Sequence, residues 1–299
     1  MIVRDWVDRA RETLGGGVVE QVNRLLLPFI PGDTTLQLEF ETDGITRGIP
    51  ICLGLNTFMV WSVAPATKEV TVQSGWAGSP EVSADIGELV RVRPNVQTHR
   101  IFDAINDTLN ELSSPMMGVY GVGTLDLVYD PITTNYDLTG AEDIEGVLGV
   151  QIGDASDLQS LWQNLRSISQ WEHRTTPPSA EVPSGHVLRV FGTIPTDNTT
   201  LRVIYRHRLN PVVTLDDDVN MTALPETAYD LPVLGAASRL AIPGEWRRNL
   251  LNAQPDPRRA DEVAPGAVLG GARALRAHYE NRVTQEAARL MSQYSYRMN

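Results

Sequence analysis

Residues 45–92, ITRGIPICLGLNTFMVWSVAPATKEVTVQSGWAGSPEVSADIGELVRV, decide how the chain is read. Apolar and polar positions alternate through this stretch, and Gly48, Gly54, Gly75, Gly78 and Gly87 interrupt the alternation. A period of two broken by glycines describes short antiparallel strands joined by tight turns, a compact β-module rather than an enzyme core. Its apolar runs are Ile49, Ile51 and Leu53, then Met59, Trp61 and Val63, then Val70 and Val72. Upstream, Leu36, Leu38 and Phe40 extend the same pattern. Downstream the period changes: in IFDAINDTLNEL (101–112), Ile101, Ile105, Leu109 and Leu112 share one helical face. A helix is predicted from Thr98 to Leu112, ended by Ser113-Ser114-Pro115.

Farther out, Trp6, Ala10 and Leu14 lie four apart and predict a helix over 3–14, stopped by Gly15-Gly16-Gly17. Val18, Val22, Leu25 and Leu26 predict a second helix closed by Pro28 and Pro31. From Gly118 to Arg208 strand patterns return, with Leu125, Leu127 and Tyr129, then 147–152, 160–171 and 187–191, then Leu201, Val203 and Tyr205. TTPPSAEVPSG (175–185) is a proline-rich spacer between them. Beyond Asp216 the chain turns helical, over 228–242 and again over about 264–294, where Leu275, Tyr279, Val283, Ala287, Leu290 and Tyr294 recur at helical spacing. The fold class expected is α+β, a helical bundle from the N- and C-terminal helices with two projecting antiparallel β-modules. The expected divisions are N-terminal helices over 1–35, a β-module over 36–95 and a helix joining the bundle over 96–116. A β-sandwich-like domain over 117–215 and a C-terminal helical region over 216–299 complete them.

The chain has 299 residues, 42% of them hydrophobic, and a net charge of −12. That length allows one large or two ordinary domains. No run of 18 apolar residues exists, so no membrane span is expected. MIVRDWVDRARETL carries charges where an export signal needs an apolar stretch. Residues 239–299 hold ten arginines against six acids, a balance of +4 that leaves −16 on the rest. The acidic body works against tight DNA wrapping but suits a conduit through which DNA slides. Lys68 stands alone among 24 arginines, a bias that reads as a GC-rich coding genome.

The candidate chemistry is sparse. His99, His173, His186, His207 and His278 lack the i+4 partners or HExxH spacing of a metal site. Asp216-Asp217-Asp218 lacks calcium-loop spacing and reads as a turn. Cys52, the sole cysteine, reads as a packed thiol. The triple glycine is not followed by Lys-Ser or Lys-Thr, and GVYGVG (118–123) precedes a strand where a dinucleotide fingerprint would follow one, so it reads as a hinge. Ser79 in AGSPE does not sit in G-x-S-x-G. No catalytic, cofactor or metal residue is predicted, and the expectation is a protein that is not an enzyme. Trp61, Trp76, Trp162, Trp171 and Trp246 form no stacking stripe and read as core or interface anchors. Arg273, Arg276, Tyr279, Arg282, Arg289, Tyr294, Tyr296 and Arg297 combine the two residue types enriched where proteins dock, and they are the candidate docking set.

Several of these residues also carry a resemblance. Val70 and Val72, Gly78-Ser79, Asp85-Ile86-Gly87 and Val90 to Pro94 form a segment similar to a module of tailed-bacteriophage head–tail connector (neck, adaptor) proteins. The helix at 101–112, YDLPVLGAASRLA (229–241) and the stretch from Tyr279 to Leu290 resemble that family's subsequent helix and C-terminal bundle. The family's Arg-Gly is Ser74-Gly75 here, and its His is Asp85. The resemblance implies a homo-oligomeric ring, a dodecamer, bound to the portal protein at the head–tail junction of the virion after assembly in the host cytoplasm. It implies tail or neck proteins as further partners, and DNA passing through the channel without specific binding. On this reading the C-terminal Arg/Tyr helix docks on the portal, and deleting 273–299 leaves a folded remainder. Rival readings are another tail or baseplate structural protein, a tail-associated hydrolase, or a DNA-binding packaging factor.

Overall fold

The computed structural model describes residues 1–15, 20–141, 143–154, 166–191, 199–241 and 267–294. They form two compact units, one of Met1–Leu109, Pro211–Met221 and Ala228–Arg282, the other of Asn110–Asn210, Thr222–Thr227 and Val283–Asn299. The fold is mixed α+β, with four helices and three antiparallel sheets among the described residues.

In the first unit, helix α1 (Val3–Gly15) buries Val3, Trp6, Val7 and Ala10 on one stripe. The helix expected after it is not formed. Gln21–Arg24 is strand β1, paired antiparallel with β6 (Leu89–Val92) from Gln21↔Val92 to Arg24↔Leu89. The spacing of Val22, Leu25 and Leu26 is helical, but a waiting strand partner overrides so short a pattern. Only Leu25 of the three is buried.

The remaining strands are β2 (Thr35–Gln37), β3 (Pro50–Leu53), β4 (Asn56–Ala64) and β5 (Glu69–Gln73). The sheet order is β1-β6-β3-β4-β5-β2. Its two ends meet: Leu25 bridges Leu38, the Leu26 N–H donates to Gln37 O at 2.8 Å, and the Glu39 N–H donates to Arg24 O at 2.9 Å. What the sequence presents as a meander is therefore a small closed barrel, which removes the pairing hazard of free edges. Its interior is filled by Leu25, Phe29, Leu36, Leu38, Ile51, Phe58, Val60, Val70 and Val90, with Phe29 and Phe58 edge-to-face at 5.1 Å.

Strand β4 departs from the simple alternation. Phe58 and Val60 face the core, Trp61 is exposed, and Val63 returns to the core opposite Val70. The register shift between Val60 and Ser62 is a β-bulge, and one extra residue flips every later side chain to the other face.

Helix α2 (Thr98–Leu112) buries Ile101, Ile105, Leu109 and Leu112 completely, as its periodicity predicts. Residues 231–241 form α3, with Pro232 in the first turn where its missing N–H costs nothing. Helix α4 spans Ala267–Gln293. Within the first unit these helices pack as a bundle. The Arg11 guanidinium of α1 donates to Thr98 Oγ1 at 2.8 Å. Gly235 of α3 sits so close to its neighbours that a Cβ there would lie 2.2 Å from Thr108 Cγ2 and 3.0 Å from Tyr279 Cε2. The barrel belongs to the same compact unit as this bundle.

The second unit is a β-sandwich. Strands β7 (Gly121–Val128), β8 (Asn135–Asp137), β9 (Ile144–Asp154), β10 (Arg166–Ser167), β11 (Trp171–Thr175), β12 (His186–Val190) and β13 (Thr199–His207) form two sheets. Their orders are β10-β9-β13-β7 and β11-β12-β8. Tyr136, Leu138, Val150, Leu188, Val190, Leu201 and Val203 fill the space between them. Of the strand expected over 160–171, residues 160–165 lie outside the described residues, and the rest is β10 and the start of β11. Of the glycines in GVYGVG, read from the sequence as a hinge, Gly118 lies in the connection before β7 with a positive φ of 69°. Gly121 and Gly123 belong to β7, where an added Cβ would strike the His207 ring at 2.6 Å and the Tyr205 ring at 2.5 Å.

Candidate functional site

The predicted docking residues on α4 turn mostly inward or toward each other. Tyr279 is fully buried between α2 and α3, so it is no part of an exposed face. Arg282 grips Asp230 with both Nε (2.7 Å) and a terminal nitrogen (2.8 Å). Arg276 donates to Glu280 at 2.8 Å, with its guanidinium 5.2 Å from the Tyr279 ring centroid. Arg289 donates to Glu286 at 2.6 Å, and the buried Glu286 also accepts from Thr227 Oγ1 at 2.8 Å. Half-buried Tyr294 lines a cavity of about 370 Å³ with Leu148, Ile168, Trp171 and Ile204. Arg273 is exposed, while Tyr296 and Arg297 lie outside the described residues. Periodicity alone could not separate arginines that face solvent from those that lock a helix to its neighbours. Removal of 273–299 would also take away Tyr279, Val283 and Leu290, which are core residues.

A different surface stands out on the barrel. Residues 25–29 run antiparallel to 84–88, with Leu25 N–H to Glu88 O (3.0 Å), Gly87 N–H to Leu25 O (2.7 Å) and Phe29 N–H to Ala84 O (2.9 Å). This register sets Leu27 opposite Ile86. Leu25 and Phe29 point into the barrel, whereas Leu27, Ile30 and Ile86 are 53%, 62% and 65% exposed. Beside them a groove of about 500 Å³ is lined by Arg4, Val82, Ile86, Glu88, Val213 and Asp216. Arg4 lies 3.1 Å from Asp216 and 3.5 Å from Glu88. Burial pushes the Glu88 carboxyl above the usual carboxylate range, against the pull of Arg4. Elsewhere on the barrel Trp61 is exposed beneath the Arg47 guanidinium, 4.6 Å from the ring centroid, and Trp76 is also exposed. Among the other tryptophans, Trp171 packs on the sandwich core, and Trp162 and Trp246 lie outside the described residues. Apolar side chains around a charged groove suit contact with another protein surface better than they suit chemistry.

The polar residues tested for catalysis have structural work. Ser79 Oγ is buried, accepts the Thr57 N–H at 2.9 Å and donates to Thr57 O at 3.2 Å. Thr57 Oγ1 in turn meets His99 Nδ1 at 3.0 Å and the buried Cys52 Sγ at 3.4 Å. Burial holds the His99 imidazole below its usual pKa, opposed by Asp103. Asp217 accepts from the Val213 and Thr214 N–H groups, and Asp218 from Asn220, so these carboxylates build the turn that precedes the last helices. No group of three or more metal-ligating side chains occurs among the described residues. The histidines are not all scattered, however. His173 and His186, thirteen apart, meet across the β11–β12 hairpin. The symmetry of a hairpin about 175–185 is the signal that would have found them.

Neither protein-family models nor curated proteins yield a match to this chain. No helix among the described residues is long and apolar enough to cross a membrane.

Proposed function

We propose that the protein is a structural component of a tailed-phage virion, a head–tail connector ring bound to the portal and forming part of the DNA channel. The observation that carries this reading is the outward-facing apolar group Leu27, Ile30 and Ile86 on a closed, well-packed barrel. A barrel that fills its own interior has no internal use for these side chains, and covering them against identical neighbours would release apolar surface from water at about 25 cal/mol per Å². The sequence resemblance of 48–92 to connector modules supplies the particular assembly. The net charge of −12 agrees with a channel that leaves DNA free to slide. In this assembly the portal contact falls to the exposed Arg273 of α4 rather than to the whole arginine–tyrosine set.

Native mass spectrometry and electron microscopy of the purified chain, alone and with portal rings, test the reading. The wild type should form a closed ring of one stoichiometry that binds the portal. Ile86→Asp should shift it to monomer while the circular dichroism spectrum stays native. A wild-type chain that remains monomeric at high concentration with portal present refutes the reading.

A further inference from the structure

His173 lies on β11 and His186 opens β12, two strands registered Thr175↔His186 and His173↔Leu188. The imidazoles are diagonal neighbours at the base of the loop formed by 176–185. His173 Nε2 and His186 Nδ1 are 3.1 Å apart, the ring planes lie within 11°, and the centroids are 5.3 Å apart. That centroid separation is close to the N···N distance plus the two ring radii, so the rings meet edge to edge through one N–H···N bond. Such a bond needs one protonated nitrogen and one bare one. The pair can carry one positive charge and keep the bond. A second proton replaces the accepting lone pair and sets two N–H groups against each other.

The surroundings sharpen this. The positive charge of Arg206 on β13 disfavours the protonated form of His173. Arg208, Asp143 and Glu145 line a cavity of about 570 Å³ with His186, and Arg208 donates to Glu145 at 3.0 Å. Glu172 and Arg174, which flank His173 on β11, pair with each other at 2.9 Å. Arg189 of β12 lies over Phe191, 5.0 Å from the ring centroid, and Asp137 of β8 accepts from Ser184. Just above the pair, the Thr176 N–H donates to Gly185 O at 2.8 Å and closes the loop.

We propose that the His173–His186 pair is a proton-sensitive latch that holds the base of loop 176–185 shut near neutral pH and releases it in mild acid, when both rings become charged. Burial first, then His186 and Arg206, hold the His173 imidazole below its usual pKa. The open hairpin therefore takes up the proton before the closed one, and the latch loses stability as pH falls below about 6.5.

Hydrogen exchange of the full chain tests this, read as protection factors so that the intrinsic pH effect cancels. Moving from about pH 7.5 to about pH 5, across the ordinary histidine value of ~6.5, protection at Thr176 and through the loop should drop about tenfold in wild type. In His173→Gln and His186→Gln, each with an uncharged amide in one half of the pair, it should stay level. Unchanged wild-type protection, or an equal drop in all three proteins, overturns the proposal. Nitrogen-15 shifts of the wild-type imidazoles give a second reading that needs no variant. The His173 ring should titrate below the ordinary imidazole value, and its titration at that value overturns the proposal as well.

Discussion

Gly235→Ala is the substitution whose sign is most informative. Residue 235 is inside α3, and replacing glycine by alanine in a helix interior ordinarily stabilises by about 1 kcal/mol. Here the new methyl would sit 2.2 Å from Thr108 Cγ2, 2.8 Å from Thr108 Oγ1 and 3.0 Å from Tyr279 Cε2. Thr108 cannot simply rotate away, because it is fully buried and its Oγ1 donates to Ala104 O at 2.7 Å. Overpacking of this kind costs about 1–3 kcal/mol, and contact with a β-branched side chain close to its helix backbone belongs at the upper end. Subtracting the propensity gain leaves a net loss of about 1–2 kcal/mol. The assay is hydrogen exchange at the α2 amides together with denaturant unfolding, since a chain of two units need not unfold in one step. Thr108→Ala removes the two atoms closest to the new methyl, so in that background Gly235→Ala should become neutral or stabilising, a coupling of about 1–3 kcal/mol. If Gly235→Ala alone leaves the protein as stable as wild type, or more so, then α2, α3 and α4 do not converge on this glycine.

Three further outcomes follow from polar groups that are buried or partly buried. Asn23 is 4% exposed and stitches the barrel near its seam, accepting the Phe40 N–H at 3.0 Å and donating to Glu41 O at 3.1 Å. Asn23→Ala should cost about 1–3 kcal/mol in urea unfolding and raise exchange at residues 37–40, and no loss would mean that the seam closes without it. His99 and His173 are both held below the ordinary imidazole pKa by burial, so the unfolded chain protonates first and stability should fall as pH drops below about 6.5. Glu88, raised by burial, works in the opposite sense toward the ordinary carboxylate value, so Glu88→Gln should steepen the fall. Melting temperatures that rise with acidification over that range would refute the assignment.

Much of the architecture is legible from spacing. The face of Ile101, Ile105, Leu109 and Leu112 gives α2 to the residue, because a long amphipathic period has only one way to bury itself. Spacing also finds α1 and α4, with ends differing from the expected ones by a residue or more, and the valine pair of β5. Where the pattern misleads, a long-range partner has decided. Residues 18–26 carry helical spacing, yet Gln21–Arg24 is claimed by β6 some seventy positions later. In β4, Phe58 and Val60 take the core face and leave Trp61 to solvent, and the bulge after Val60 returns Val63 to the core. Tyr279, Arg282 and Arg289 look alike on a helical wheel, and only the approach of α3, Asp230 and Glu286 shows that they hold the chain together.

Composition and periodicity by themselves determined the α+β class, the acidic body and the places where strands give way to helices, since these depend on side-chain pattern along the chain. Closure of the barrel between Leu25 and Leu38, the meeting of His173 with His186 and the outward turn of Leu27 and Ile86 were decided only in three dimensions. Each depends on which distant backbone donor finds which acceptor, and local sequence does not carry that information.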